Sequence, residues 1–173
     1  MIKTILLATD LGVATPHLLE HAANLSQQYQ AKLVVIHSIE PLGAVGQAIL
    51  TSYLPSETSQ ALTTDGIDAL AKQVRAQIID HLTEEFMAGQ DALSRVGDVI
   101  VRLGQPADTI LQAAQSVEAD MIIMGNRSDQ NGITDEMGTV TRKVIRATKI
   151  PVYVVPLFQA TWQQDGLHQL KLC

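Results

Sequence analysis

The chain has 173 residues, 46% of them apolar, enough for one ordinary buried core and short for two. Its 12 Lys and Arg stand against 18 Asp and Glu, a net charge of -6 with no basic cluster to offset it, so nucleic acid is not an expected partner. The lone cysteine, Cys173, excludes an intrachain disulfide and a thiolate metal site, and no apolar run approaches the roughly 20 residues that span a bilayer. With no signal-type segment ahead of the first apolar run, the expectation is no membrane association and a cytoplasmic location.

Ile2 to Ala8 is a short Ile- and Leu-rich run closed by Thr9, Asp10 and Gly12, which reads as a strand buried on both faces. Thr15-Pro16 opens a helix whose apolar face is Leu18, Ala22, Leu25 and Tyr29. Lys32 to Ile39 is a second strand, parallel to the first because the crossover is helical. Residues 40–56 carry Pro41, Gly43, Gly46 and Pro55 around an apolar patch from Val45 to Leu50, so a short helix or flap is expected there.

A long amphipathic helix begins between 57 and 66, carries Ile67, Leu70, Val74, Ile78 and Leu82 on one stripe, and ends near Gly89. Val96 to Leu103 is a third strand, less apolar and suited to an edge. Pro106 opens the next helix, with Ala107, Ile110, Leu111, Ala114 and Val117 inward. Met121 to Met124 is a fourth strand ending at Gly125. After a polar loop over 126–137, a last helix turns Val140, Val144 and Ala147 to one side. Val152 to Val155, behind Pro151, is the fifth strand, and the tail from Leu157 to Cys173 is too apolar for a free end.

Alternating strands and helices predict an α/β fold: an open, doubly wound, five-stranded parallel sheet in the order 3-2-1-4-5 with helices on both faces. In such sheets ligands collect at strand C-termini where the order reverses, here between the first and fourth strands. Ala8-Thr9-Asp10 and the segment from Met124 onward should therefore converge. Asp10 is the leading functional candidate, with capping of its own turn as the competing role. Beyond the fourth strand the chain runs Gly125-Asn126-Arg127-Ser128, nine further residues, then Gly138-Thr139-Val140-Thr141 at a helix start. Glycines admit close backbone approach and helix-start amides attract anions, so this segment suits phosphates.

These residues carry a resemblance. Met124-Gly125-Asn126-Arg127 and Gly138-Thr139, ahead of Ile150-Pro151-Val152-Tyr153-Val154-Val155, resemble the universal stress proteins, whose nucleotide-binding members carry G-x-x-G, nine residues, then G-S/T. Ala8-Thr9-Asp10, Ile36-His37, Gly104-Gln105-Pro106-Ala107 and Ala119-Asp120 extend the match over roughly residues 2–156. The resemblance implies the adenine nucleotide alpha hydrolase-like fold over 1–156, with the tail 157–173 packing on the domain or on a dimer partner. It implies a regulatory homodimer in a stress response, paired through Val152–Val155, that binds ATP or AMP, with Mg²⁺ accompanying ATP, and is not an enzyme of rapid turnover. By similarity, Ala8 and Thr9 line the base pocket and Asp10 lies near the ribose and phosphates. Ser38 borders the adenine edge, and Met124, Gly125, Arg127, Ser128, Gly138, Thr139, Val140 and Thr141 form the phosphate segment.

Two features depart from the pattern. Ser128 stands where the second glycine belongs, and Asp129, Asp135 and Glu136 make the loop acidic. A carboxylate roughly 6 Å from a phosphate costs about 3 kcal/mol at an effective dielectric near 20, so the loop either excludes a triphosphate or calls for Mg²⁺. Thr134-Asp135-Glu136 also reads simply as the cap and acidic first turn of the last helix. Two alternatives stay open: a nucleotide-free interaction module of the same fold, and a slow ATPase, although no G-x-x-x-x-G-K-S/T is present. His17 and His21 have the spacing of two metal ligands on one helix face, but no third ligand completes the set and no metal is expected. His37 reads as a hydrogen-bonded structural residue, so no catalytic residue is assigned.

Overall fold

The computed structural model describes residues 1–12, 14–40, 96–127 and 137–157, with seven helical residues between 69 and 80. Its strands are β1 (Thr4–Ala8), β2 (Lys32–Ile39), β3 (Val96–Leu103), β4 (Met121–Gly125) and β5 (Val152–Val155). The labelled helices are α1 (Thr15–Tyr29), α2 (Pro106–Ser116) and α3 (Thr139–Ala147). All pairings are parallel and the order is β3-β2-β1-β4-β5, as the alternation of elements predicts.

Strand alternation builds two cores from one sheet. On β1, Ile5 and Leu7 face one way and meet Leu18, Leu19 and Ala22 of α1, together with Leu33, Val35 and Ile123. Leu6 and Ala8 face the other way, against Ala107, Ile110 and Ala114 of α2 and Val144 of α3. Ile5, Leu6 and Leu7 are all fully buried, which is why this strand reads as an unbroken apolar run. Complete burial of each such side chain contributes about 1.5–3 kcal/mol.

Pro16 and Pro106 each sit in the first turn of a helix, where a missing N–H costs nothing. Both helices stop without glycine. Gln30 and Glu118 take left-handed φ values of 53° and 51°, and the next amides fold back, Ala31 onto the Ser26 carbonyl and Ala119 onto that of Ala114, each at 2.9 Å. On β3 the register with β2 slips between Leu33 and Val34, leaving Gly97 as the extra residue, and the Lys32 side chain occupies the space a Cβ would need there.

Several inward faces differ in detail from the periodic reading. Tyr29, the last residue of α1, is 41% exposed, and the buried stripe is Leu18, Leu19, Ala22, Ala23 and Ser26. Ser26 tolerates burial because its hydroxyl donates to the Ala31 carbonyl at 2.6 Å. On α2, Ala113 is buried while Leu111 and Val117 are only partly covered. On α3, Ala147 is exposed and the buried residues are Thr141 and Val144. Of the long helix expected before β3, Ala69, Lys72, Gln73, Arg75, Ala76, Ile79 and Asp80 are helical and exposed, as its polar side should be. Its apolar stripe, the 41–68 segment, Ser128, the acidic residues after it and the tail beyond Leu157 lie outside the described residues.

At the N-terminal end of the sheet, Asp120 ties β1 to the start of β4. Its carboxylate accepts the amides of Lys3 and Thr4 at 2.6 and 3.0 Å, and its own amide donates to the Thr4 carbonyl. These backbone donors hold the carboxyl below its ordinary value of 3.8. A folded-state pKa below the unfolded one gives stability that is present above the ordinary value and lost as pH falls through the depressed one. Chemical denaturation of the parent and Asp120→Asn should therefore show the parent losing its advantage between about pH 5 and pH 2. A gap that stays constant across that range contradicts the assignment.

Candidate functional site

The order reverses at β1, between β2 and β4. Ala8 lies in register with Ile36 of β2 and Met124 of β4, so Thr9-Asp10 leaves the sheet beside Gly125-Asn126. This is the crevice at the C-terminal edge that the topology predicts.

The turn after β1 is bound to itself. The Thr9 hydroxyl, buried, lies 2.9 Å from that of Thr15 and accepts the Leu11 amide at 3.1 Å. Asp10 is exposed and its Oδ1 accepts the Gly12 amide at 3.0 Å, which is the turn-capping role. Leu11 is held at φ 60°, a left-handed conformation rare for a bulky side chain. His37 Nδ1 lies 3.0 Å from the Thr9 carbonyl; the acceptor there is a carbonyl, so this nitrogen carries the proton, in keeping with a structural histidine. Ser38 donates to the Gly104 carbonyl at 3.1 Å.

On the other side, the segments around 125 and 138 meet. The Gly138 amide donates to the Asn126 carbonyl at 2.7 Å, and the Thr141 hydroxyl donates to the Gly125 carbonyl at 2.8 Å. Gly138 has φ -54° and ψ 147°, which any residue adopts. Glycine is needed there for space: a Cβ would stand 3.1 Å from Arg127 Cα and 3.3 Å from the Asn126 carbonyl oxygen. At Gly125 a Cβ would lie 2.6 Å from Leu157 Cδ1. α3 thus starts against the end of β4, and the amides of Thr139, Val140 and Thr141 belong to its first turn, where no intrahelical acceptor exists.

Three site candidates are engaged within the protein. Arg127 Nε donates to the Leu157 carbonyl at 2.8 Å, toward the end of β5, and Met124 is buried in the core against α2 and α3. Thr141 is buried behind the helix start, whereas Thr139 is exposed. Asn126 is the residue sequence reasoning misses. Its amide donates to the Val155 carbonyl, its Oδ1 accepts the Leu157 amide at 2.8 Å and its carbonyl takes the Gly138 amide, so it joins β4, β5 and α3. Nothing in its position inside the glycine motif distinguishes it from a loop residue. The reading of no basic cluster is also corrected. Arg142, Lys143 and Arg146 lie together on the exposed side of α3, a local concentration that a whole-chain charge does not reveal. Among the described residues, no group of three or more His, Cys, Asp or Glu side chains is placed to hold a metal ion.

The family model "Universal stress protein family" matches residues 1–156. The chain belongs to the universal stress protein family. A universal stress protein of Thermus aquaticus, from the region 3' of a QAH/OAS sulfhydrylase, is 29% identical over 90% of this chain and 99% of its own length. The universal stress protein A homolog of Haemophilus influenzae is 25% identical over 91% and 98%. Among solved structures, the protein MJ0577 superposes with a TM-score of 0.67 at 23% identity, covering 92% of this chain and 99% of its own. A universal stress protein in complex with cAMP has a TM-score of 0.53 at 18% identity, covering 90% and 97%, and shares the fold.

In this universal stress protein the contact of residue 138 with 126 and 127 is a packing requirement that mutation reads directly. Thr141→Val keeps the shape and leaves the Gly125 carbonyl without its hydroxyl, an expected loss of about 1–3 kcal/mol in denaturant unfolding. Gly138→Ala forces its Cβ against backbone and should also destabilise, whereas Thr139→Ala, at an exposed position, should stay within about 0.5 kcal/mol of the parent. Equal effects at 138, 139 and 141 would contradict the contact.

Proposed function

We propose that this universal stress protein binds an adenine nucleotide, ATP or AMP, where β1 and β4 end, and acts as a regulatory binder in the cytoplasm whose occupancy biases a stress response. The seating of Gly138 against Asn126 and Arg127 carries the reading, because it sets the amide end of α3 beside the switch point of the sheet. In this reading the phosphates lie along Gly125, Arg127, Ser128, Gly138 and the first turn Thr139, Val140 and Thr141. Asp10 lies toward the ribose, Ala8 and Thr9 line the base pocket, Ser38 borders the adenine edge, and Met124 backs the start of the phosphate segment from the core. Arg142 and Lys143, in the half of α3 nearer its start, favour an anion at this end of the helix. Mg²⁺ accompanies ATP, offsetting the carboxylates at 129, 135 and 136. That another protein of this fold is seen with cAMP makes adenine nucleotides the first ligands to try.

A nucleotide-free interaction module is the second reading, favoured by a specific observation: the side chains of Thr9, Ser38 and Arg127 already have protein partners. Calorimetric titration with ATP and AMP, with and without Mg²⁺, separates the two. Saturable binding that falls at least tenfold, about 1.4 kcal/mol, in both Asp10→Ala and Gly138→Val supports the first reading. No saturable binding at millimolar nucleotide leaves the module, and phosphate release with repeated turnover points instead to a slow ATPase.

A homodimer paired through Val152–Val155 is part of the same proposal. β5 is a four-residue edge strand with Tyr153 38% exposed, an unpaired surface that a second copy would cover. The tail 157–173 then packs on the domain or on that partner. Sedimentation at micromolar concentration should give a dimer for the parent and a monomer for Val152→Lys with Val154→Lys. A monomeric parent overturns this interface.

A further inference from the structure

The fold brings a side chain of β5 to the histidine pair of α1. His17 and His21 stack edge to face, with ring centroids 4.7 Å apart and planes at 86°. Tyr153, 132 residues further along the chain, sets its hydroxyl 3.3 Å from His21 Nδ1. Glu20 Oε2 lies 4.0 Å from His17 Nδ1. His21 Nδ1 thus has an oxygen within hydrogen-bond reach, while the Glu20 carboxylate stands beyond that distance from His17.

That arrangement is what a metal-bound imidazole requires of its surroundings. A ligating histidine binds through one nitrogen and donates the other N–H to a carboxylate or another oxygen, which sets the ring's orientation. With metal–nitrogen bonds of about 2.1 Å and an angle of about 90–110° at the ion, two ligating rings have centroids about 4.5–5.2 Å apart. The observed 4.7 Å falls in that interval. The rings stand edge to face, so a shared ion requires the His17 ring to turn about χ2, which hardly moves its centroid and leaves the His21–Tyr153 contact in place. A helix supplies the spacing, since residues four apart share a face.

We propose that His17 and His21 form a two-imidazole chelate for a late first-row divalent ion, with Tyr153 as the oxygen partner that orients His21 and water completing the coordination. The sequence alone argues against a metal here for want of a third ligand. The structure supplies instead an outer partner from β5, and two imidazoles with open positions suffice for an ion of the copper, nickel or zinc class. Nitrogen ligands order these ions by intrinsic affinity, with Cu²⁺ above Ni²⁺ and Zn²⁺. The site needs no bound nucleotide, and it shares Tyr153 with the edge strand proposed to pair two copies.

The test titrates the untagged full chain with CuCl₂, NiCl₂ and ZnCl₂ by calorimetry and by shift of the melting temperature. One Cu²⁺ per chain is expected, bound more tightly than Ni²⁺ or Zn²⁺. His17→Ala and His21→Ala should each weaken Cu²⁺ at least tenfold, and the double variant should be no weaker than either single one, because half a chelate is worth little. Tyr153→Phe, which keeps the ring and removes the oxygen, should cost about tenfold. His81→Ala and His168→Ala should leave affinity unchanged. Circular dichroism and metal-free melting temperatures equal to the parent's establish that the variants fold. No saturable Cu²⁺ binding, binding within threefold of the parent in His17→Ala or His21→Ala, or loss of the ion on replacing His81 or His168 would overturn the proposal.

Discussion

The C-terminal edge of this protein is organised by Asn126. Three groups of one residue are used at once: the amide on Val155, the side-chain oxygen on the Leu157 amide, and the carbonyl on the Gly138 amide. The last of these bonds is short, 2.7 Å, and a Cβ at residue 138 would crowd it, standing 3.3 Å from the Asn126 carbonyl oxygen. A side chain at 138 would press on Asn126 and Arg127 and shift the start of α3, which Thr141 also holds to the Gly125 carbonyl. Every functional reading of the crevice depends on that one backbone contact.

Beneath it, the sheet provides rigidity. β1 is central and buried on both faces, with odd residues packed under α1 and even residues under α2 and α3. A one-residue slip would exchange those two sets, so the register is strongly specified. The register then determines which chain ends meet: Ala8 beside Met124 sets Thr9-Asp10 opposite Gly125-Asn126. Asp120 secures the same pair of strands from the opposite end, through two backbone amides. The crevice is therefore held from below by packing and from above by Asn126.

The chemistry of the crevice is that of a cradle. Its side chains are largely committed to the protein: Thr9 to Thr15, His37 to the Thr9 carbonyl, Ser38 to Gly104 and Arg127 to Leu157. Asp10 is likewise tied to the Gly12 amide, and what the edge presents beyond these is backbone, the first-turn amides of α3 beside the end of β1. Under the reading proposed above, an anion is held there by geometry and field. At the far side of α1, the His17, His21 and Tyr153 cluster shows how the same sheet order also assembles polar groups that lie far apart in the chain.

Local pattern alone was enough for the architecture. Unbroken apolar runs such as Ile5-Leu6-Leu7, separated by helical periods, point to a parallel sheet covered on both sides, and right-handed crossovers limit its order to a handful that includes the one observed. The glycine-bearing segment at 125 and 138 was legible for the same reason, since close backbone approach leaves a trace in residue type. Side-chain direction was not legible. Whether Arg127 points to a ligand or to Leu157, whether Tyr29 is covered, and whether Thr141 rather than Ala147 faces inward depend on where distant elements end. The tie made by Asn126 and the meeting of Tyr153 with His21 join residues 31 and 132 positions apart, and no periodicity along the chain encodes such distances. Sequence determined which faces must be buried, because burial follows hydrophobic period; only the tertiary structure decided which polar groups meet, because those bonds form after the faces have packed.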